Sequence, residues 1–197
     1  MKRAFFGGTF DPIHAAHVTV AREAADAFGL DQVLMIPAGQ PPHKGTGTAY
    51  EHRFRMVELA CRGDARLVPS RLEEGQTKSY SILTIERLKA EGGDLYFIIG
   101  SDAFAEIRTW YRAEEVIRAV EFIVVSRPGH RYEIPPGARV HRLETVAMPV
   151  SSSEIRAELA RGRRPADIDP AGADYIDRKS TRLNSSHVAL SRMPSSA

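Results

Sequence analysis

Two stretches of the chain carry residue types suited to handling phosphate. The first is GGTFDPIHAAH, residues 7–17. Gly7 and Gly8 permit a tight turn and let an anion approach backbone amides without interference from a Cβ. His14 and His17, three apart at a helix start, fall on one surface where the helix end already favours negative charge. Both can donate hydrogen bonds to phosphate oxygens. A zinc role is the poorer reading, because no third or fourth ligand stands at a suitable spacing, and no metal site is assigned. The second stretch is VSSSEIR, residues 150–156. Ser151, Ser152 and Ser153 supply hydroxyl and amide donors at another helix start, and Arg156 offers a planar charged fork. Taken singly, each has a plainer reading: a glycine turn beside surface histidines, or a serine N-cap beside a surface arginine. Taken together they make a phosphate clamp.

The elements that must position these residues follow from hydrophobic periodicity. Ala4–Gly8 reads as a buried strand, followed by a helix from about Ala15 to Phe28 with Val18, Ala21, Ala25 and Phe28 on one face. Val33–Ile36 repeats the strand signal, and Pro37, Pro41 and Pro42 force a loop after it. A helix is expected from near Tyr50 to Gly63, a strand at Leu67–Pro69, a helix at Tyr80–Ala90, and a central strand in the apolar run Leu95–Ile99. Next come a helix at Arg112–Ala119, a strand at Glu121–Ser126, a turn-rich stretch from Arg127 to Gly137, a short strand near Val146–Val150 and a helix over Ser151–Arg161. Alternation of this kind predicts an α/β fold with a doubly wound, open parallel sheet. Such sheets bind ligands at the carboxyl ends of their strands.

Bulk properties narrow the class. A length of 197 residues suits one core, and 43% hydrophobic with 26% charged residues is a globular composition. No apolar stretch reaches the roughly 20 residues that span a bilayer, and Met1-Lys2-Arg3 leads straight into a strand, not into a signal-peptide core. The single cysteine, Cys61, has no partner for a disulfide, so a reducing cytoplasm is expected, without membrane association. Residues 179–197 carry three basic and no acidic residues; without them 24 basic residues face 25 acidic ones. That balance does not favour a nucleic-acid partner. The same segment, KSTRLNSSHVALSRMPSSA, has neither period nor apolar face and reads as a disordered, non-native appendage to a domain spanning residues 1–178.

The first stretch resembles the nucleotidyltransferase superfamily signature Gly-x-Phe-Asp-Pro-x-His-x-x-His, matched by Gly8, Phe10, Asp11, Pro12, His14 and His17, and VSSSEIR resembles its second half. Between them, Pro41-Pro42-His43-Lys44, Ser79-Tyr80-Ser81-x-x-Thr84, Ile98-Ile99-Gly100-Ser101-Asp102, Thr109-Trp110-Tyr111 and Arg127-Pro128-Gly129 resemble, in order, the nicotinate mononucleotide adenylyltransferases. The resemblance runs from about Phe5 to Ile176; Ser81 departs from the commoner threonine but keeps the hydroxyl. It implies a Rossmann-like nucleotidyltransferase fold and transfer of the adenylyl group of ATP, as its magnesium complex, to nicotinate mononucleotide, releasing pyrophosphate. It further implies that His14, His17, Lys44 and Arg156 are catalytic. Gly8, Thr9, Phe10, Gly100, Asp102, Ser151, Ser152 and Ser153 would complete the ATP site, with Asp102 on the ribose. Trp110 would stack on the pyridine ring, while His43, Lys44, Ser81, Thr84 and Tyr111 receive the acceptor's phosphate and carboxylate.

Two rival readings stay open on sequence. One is a sister adenylyltransferase acting on nicotinamide mononucleotide or phosphopantetheine. The other is a non-catalytic nucleotide-binding module, against which the four cationic side chains speak. Oligomeric state is not legible.

Overall fold

The computed structural model describes residues 1–40, 47–146 and 150–179. Six strands, β1 (Lys2–Gly8), β2 (Gln32–Pro37), β3 (Leu67–Pro69), β4 (Asp94–Gly100), β5 (Glu121–Ser126) and β6 (Arg139–Glu144), form one sheet in the order β3-β2-β1-β4-β5-β6. Every pairing is parallel. Helices α1 (Ala15–Phe28), α2 (Tyr50–Cys61), α3 (Ser81–Ala90), α4 (Ser101–Ala105), α5 (Ala113–Ala119) and α6 (Ser152–Ala160) connect and cover it. A last helix, α7, covers 170–179.

Because successive side chains on a strand point to opposite faces, the apolar runs feed two cores at once. Ala4, Val33, Met35, Ile98 and Ile123 pack on the face that carries Ala21, Ala24 and Ala25 of α1 and Met56, Val57 and Ala60 of α2. Their neighbours Phe5, Leu34, Ile36, Phe97, Ile99, Phe122 and Val124 pack on the other face with Ile82, Ile85 and Leu88 of α3 and Val116 and Ile117 of α5. Each large aliphatic side chain so buried contributes about 1.5–3 kcal/mol. The expected doubly wound parallel sheet is therefore the observed one. Cys61 is buried in the first core, and burial pushes its thiol pKa up to about 12.

Two expectations need correction. The sixth strand of the sheet is Arg139–Glu144, which pairs with all of β5; of the strand expected near 146–150, Val146 is 84% exposed outside any strand and residues 147–149 lie outside the described residues. As an edge strand, β6 buries only Leu143 among charged neighbours, so an apolar run is a poor guide to it. Helix α7 was not expected at all. Asp169 starts it, its carboxylate accepting the N–H groups of Ala171 (2.9 Å) and Gly172 (3.3 Å), with Pro170 as the first helical residue. Ala173 and Ile176 of α7 pack with Ile155 and Leu159 of α6, and Tyr175 and Ile176 also reach the α1–α2 core. Lys179, assigned to the appended segment, is the last described residue of this helix; residues 180–197 lie outside the described residues.

Candidate active site

Strand order reverses between β1 and β4, and the crevice beyond their carboxyl ends is where a ligand fits such a sheet. There the chain leaves β1 through Gly8, Thr9 and Phe10. Phe10 is almost fully buried and takes a left-handed φ of 47°. Its ring lies over Gly8, where a Cβ would come within 2.9 Å of ring carbon Cε1. Glycine at position 8 thus accommodates the Phe10 ring, a different reason from the anion approach expected of it. Gly7 faces open space.

His14 is the N-cap of α1, and its ring stacks on His17 with centroids 3.8 Å apart and planes 28° from parallel. The His14 amide N–H donates to His17 Nδ1 at 3.3 Å. An accepting Nδ1 places the proton of neutral His17 on Nε2, leaving that N–H as a donor. Phe10 and Phe6 meet the His17 ring edge to face at 5.0 and 5.9 Å. Desolvation, then the neighbouring His14, lowers the His17 pKa to about 3. Burial also lowers that of His14, with the Asp167 carboxylate acting in the opposite sense. Asp167 was not singled out in the sequence; its carbonyl also accepts the Ala15 N–H at 2.7 Å, tying the segment before α7 to the start of α1.

Helix α6 brings the second stretch to the first. Arg156 Nη1 donates to the Asp11 carbonyl at 2.7 Å, and Ser152 Oγ donates to the Pro12 carbonyl at 3.0 Å. Arg156 Nη2 also donates to Ser153 Oγ at 3.2 Å. Ser151 has less to spare for a ligand. Its hydroxyl oxygen accepts the Glu154 N–H, and its own N–H and O–H go to the Glu154 carboxylate, a capping box. At the end of β4, Gly100 caps α4 and Asp102 lies exposed in its first turn.

On the other side of the Gly8–Thr9 loop opens a cavity of about 330 Å³. Ser81, half-buried Trp110 and Tyr111 line it as expected, with Phe97 and Tyr80. Tyr111 stacks on Tyr80 at 4.5 Å, and the Trp110 ring centroid stands 6.1 Å from that of Phe97. Thr84 does not line this cavity. It is fully buried, and its hydroxyl donates to Glu73 Oε1 at 2.6 Å, so it supports the wall through Glu73, which does face the cavity. His43 and Lys44 lie outside the described residues. His52 and His141 are half-buried and hydrogen-bonded, to Tyr175 and Glu121 respectively, at 2.7 Å. A larger cleft of about 510 Å³ between α3 and α5 lies away from the strand ends and holds none of the motif residues other than Ile82 of the α3 start.

Arg53 went unnoticed in the sequence. Its side chain is 1% exposed, and it donates to the carbonyls of Thr9 (2.7 Å), Thr48 (3.2 Å) and Gly39 (3.4 Å). A signal existed: an arginine in register with Val57 and Ala60 on the buried stripe of α2. Nothing comparable marked Glu73.

Sheet, switch-point cavity and paired helix starts together define a nucleotidyltransferase-fold protein. The chain belongs to the cytidylyltransferase-like family, whose model matches residues 5–158. Its similar relatives include a protein of Solibacter usitatus named "Probable nicotinate-nucleotide adenylyltransferase", 58% identical over 180 residues, covering 89% of this chain and 96% of the relative. A protein of the same name from Exiguobacterium sibiricum is 41% identical over 167 residues, 83% of this chain and 88% of the relative. Among solved structures, the Plasmodium falciparum nicotinic acid mononucleotide adenylyltransferase complexed with NaAD superposes with a TM-score of 0.74 at 21% identity, covering 91% of this chain and 96% of that one. That last likeness concerns the fold alone. Among the described residues no helix is long and apolar enough to cross a membrane.

Proposed function

We propose that this chain transfers the adenylyl group of ATP to nicotinate mononucleotide, giving nicotinate adenine dinucleotide and pyrophosphate, a step of NAD synthesis carried out in the cytoplasm. The observation that carries the reading is the junction of α1 and α6 beside the switch-point cavity, made by Arg156 and Ser152 on the carbonyls of Asp11 and Pro12. The names of the relatives supply the reaction.

An oxygen of the acceptor's phosphate attacks the α-phosphorus of ATP, the bond from that phosphorus to the β-bridging oxygen breaks, and pyrophosphate leaves. The acceptor phosphate is already ionised at neutral pH, so neither a general base nor a covalent intermediate on the protein is required. Catalysis then rests on position and on stabilising charge that develops on phosphate oxygens. His17 donates from Nε2, His14 beside it adds a second imidazole, and Arg156 with Ser152 and Ser153 receives the departing pyrophosphate. Lys44 bridges the two phosphates being joined, and Asp102 accepts from the adenylate ribose. Gly8, Thr9 and Phe10 form the turn beneath the triphosphate. Among the described residues no group of three or more His, Cys, Asp or Glu could hold a metal ion. Magnesium, a hard cation that keeps phosphate and water ligands, would be carried by the triphosphate, where it neutralises charge.

The acceptor's ring fits the cavity, stacked on Trp110, with its carboxylate toward the donors of Ser81 and the Tyr111 backbone. The described lining contains Glu73 and Glu106 but no Lys or Arg. Within the described lining, the donors offered to the acceptor's carboxylate are neutral. The test is a pyrophosphate-release assay comparing kcat/KM for the acid and amide mononucleotides. A clear advantage for the acid is expected; equal values would remove the preference, and release with neither would remove the reaction.

A further inference from the structure

We infer that Arg53 is the positioning residue that fixes the ATP loop and the acceptor wall as one rigid unit. This rests on the adenylyl-transfer reading and extends it to a residue far from the reacting atoms in sequence. Its guanidinium reaches three separate segments: Thr9 in the loop after β1, Gly39 after β2, and Thr48 before α2. None of these contacts is made by a helix or sheet ladder. The Thr9 contact touches the cavity directly, since Thr9 lines it, and Gly39 adjoins Ala38, which also lines it.

The Gly39 contact passes onward. The Gln40 N–H donates to Ser79 Oγ at 3.2 Å and the Ser79 N–H to the Gln40 carbonyl at 2.9 Å, joining this segment to the Ser79-Tyr80-Ser81 turn. On its other side Gly39 presses against the Glu73 carbonyl so closely that a Cβ would overlap it. Arg53 therefore stands at the head of a continuous path from Thr9, on the ATP side, to Ser81, on the acceptor side. Three carbonyls in three directions demand a planar fork with several fixed donors; an ammonium group has neither the reach nor the geometry. The Tyr50 ring stands 5.4 Å from the guanidinium carbon, and the Asp11 carboxylate offsets part of the desolvation that burial imposes on the cation. In-line transfer between two nucleotides needs both walls in register, and a displacement of about 1 Å costs on the order of 100-fold in rate.

The test uses the full chain with Arg53→Lys and Arg53→Ala, assayed well below their melting temperatures. Two readouts are taken: steady-state kinetics for both nucleotides, and quenching of Trp110, the only tryptophan, on titration with the acceptor mononucleotide. Both variants should lose about 100-fold in kcat/KM for ATP and for the acceptor alike. Acceptor binding should weaken in the Trp110 titration, and millimolar ethylguanidinium, but not ethylammonium, should restore part of both signals to Arg53→Ala. If Arg53→Ala does not fold, Arg53→Lys alone decides. Folded variants with kinetics and Trp110 titrations within twofold of the parent overturn the proposal, as does equal recovery with the two cations. A parent chain without transfer activity would count against the reaction itself, and the role of Arg53 would then be judged on the Trp110 titration.

Discussion

Arg156 donates a 2.7 Å hydrogen bond to the carbonyl oxygen of Asp11, a residue 145 positions earlier in the chain. One exposed cation thereby joins the two helix starts and remains able to meet phosphate with its other N–H groups. Replacing it with alanine should lower kcat/KM by about 10²–10³. The stability lost should be only about 1 kcal/mol, that of one hydrogen bond. Kinetics and urea unfolding on the same preparation check both; a large loss of stability with normal turnover would make Arg156 a fold residue only.

His17 should act through Nε2. Asn at this position offers an oxygen near the place of Nδ1, which can accept the His14 N–H, but has nothing at Nε2, whereas Gln reaches that outer position. His17→Gln should therefore keep more turnover than His17→Asn, both bind ATP, and His17→Ala be lowest, by orders of magnitude. Single-turnover rates with ATP affinity measured separately test the ranking; Asn exceeding Gln would contradict the assigned tautomer.

The lowered pKa values of His14 and His17 have a consequence for acid stability. With a folded value of about 3 for His17 and an ordinary one of 6.5, the unfolded chain binds the proton first. Stability must fall as pH drops from about 6.5 toward 3, and this contribution is flat above 6.5. Urea midpoints at pH 7 and 5 should differ, and less so in His17→Gln. An equal pH slope in the two proteins would contradict the depressed imidazole.

Much of this was legible beforehand because the signals were strong and local. The runs around Phe5, Leu34, Ile98 and Ile123 are buried on both faces, so they had to be central parallel strands. The two helix starts were marked by glycines, histidines and serines. What escaped detection depends on tertiary partners. Strand β6 is recognised by its pairing with β5, not by its charged sequence. Arg53 and Glu73 are defined by what they touch, and Thr84 carries the expected residue type with its hydroxyl turned to Glu73 instead of the cavity.

Thr84→Val should leave the Glu73 carboxylate without its 2.6 Å donor in a buried setting. A cost of about 1–3 kcal/mol is expected, with acceptor KM raised through the shifted wall and ATP KM little changed. Thr84→Ser should restore both. Thermal melting with kinetics for each nucleotide checks this; a Val variant as stable as the parent would show that the pair contributes nothing.

The central claim concerns which phosphorus is attacked, and isotope placement tests it most directly. When the full chain is given nicotinate mononucleotide and ATP labelled at the α-phosphorus, the label should appear in the dinucleotide and the pyrophosphate should be unlabelled. Label confined to AMP or unreacted ATP, or transfer of the γ-phosphoryl group instead, would contradict the account.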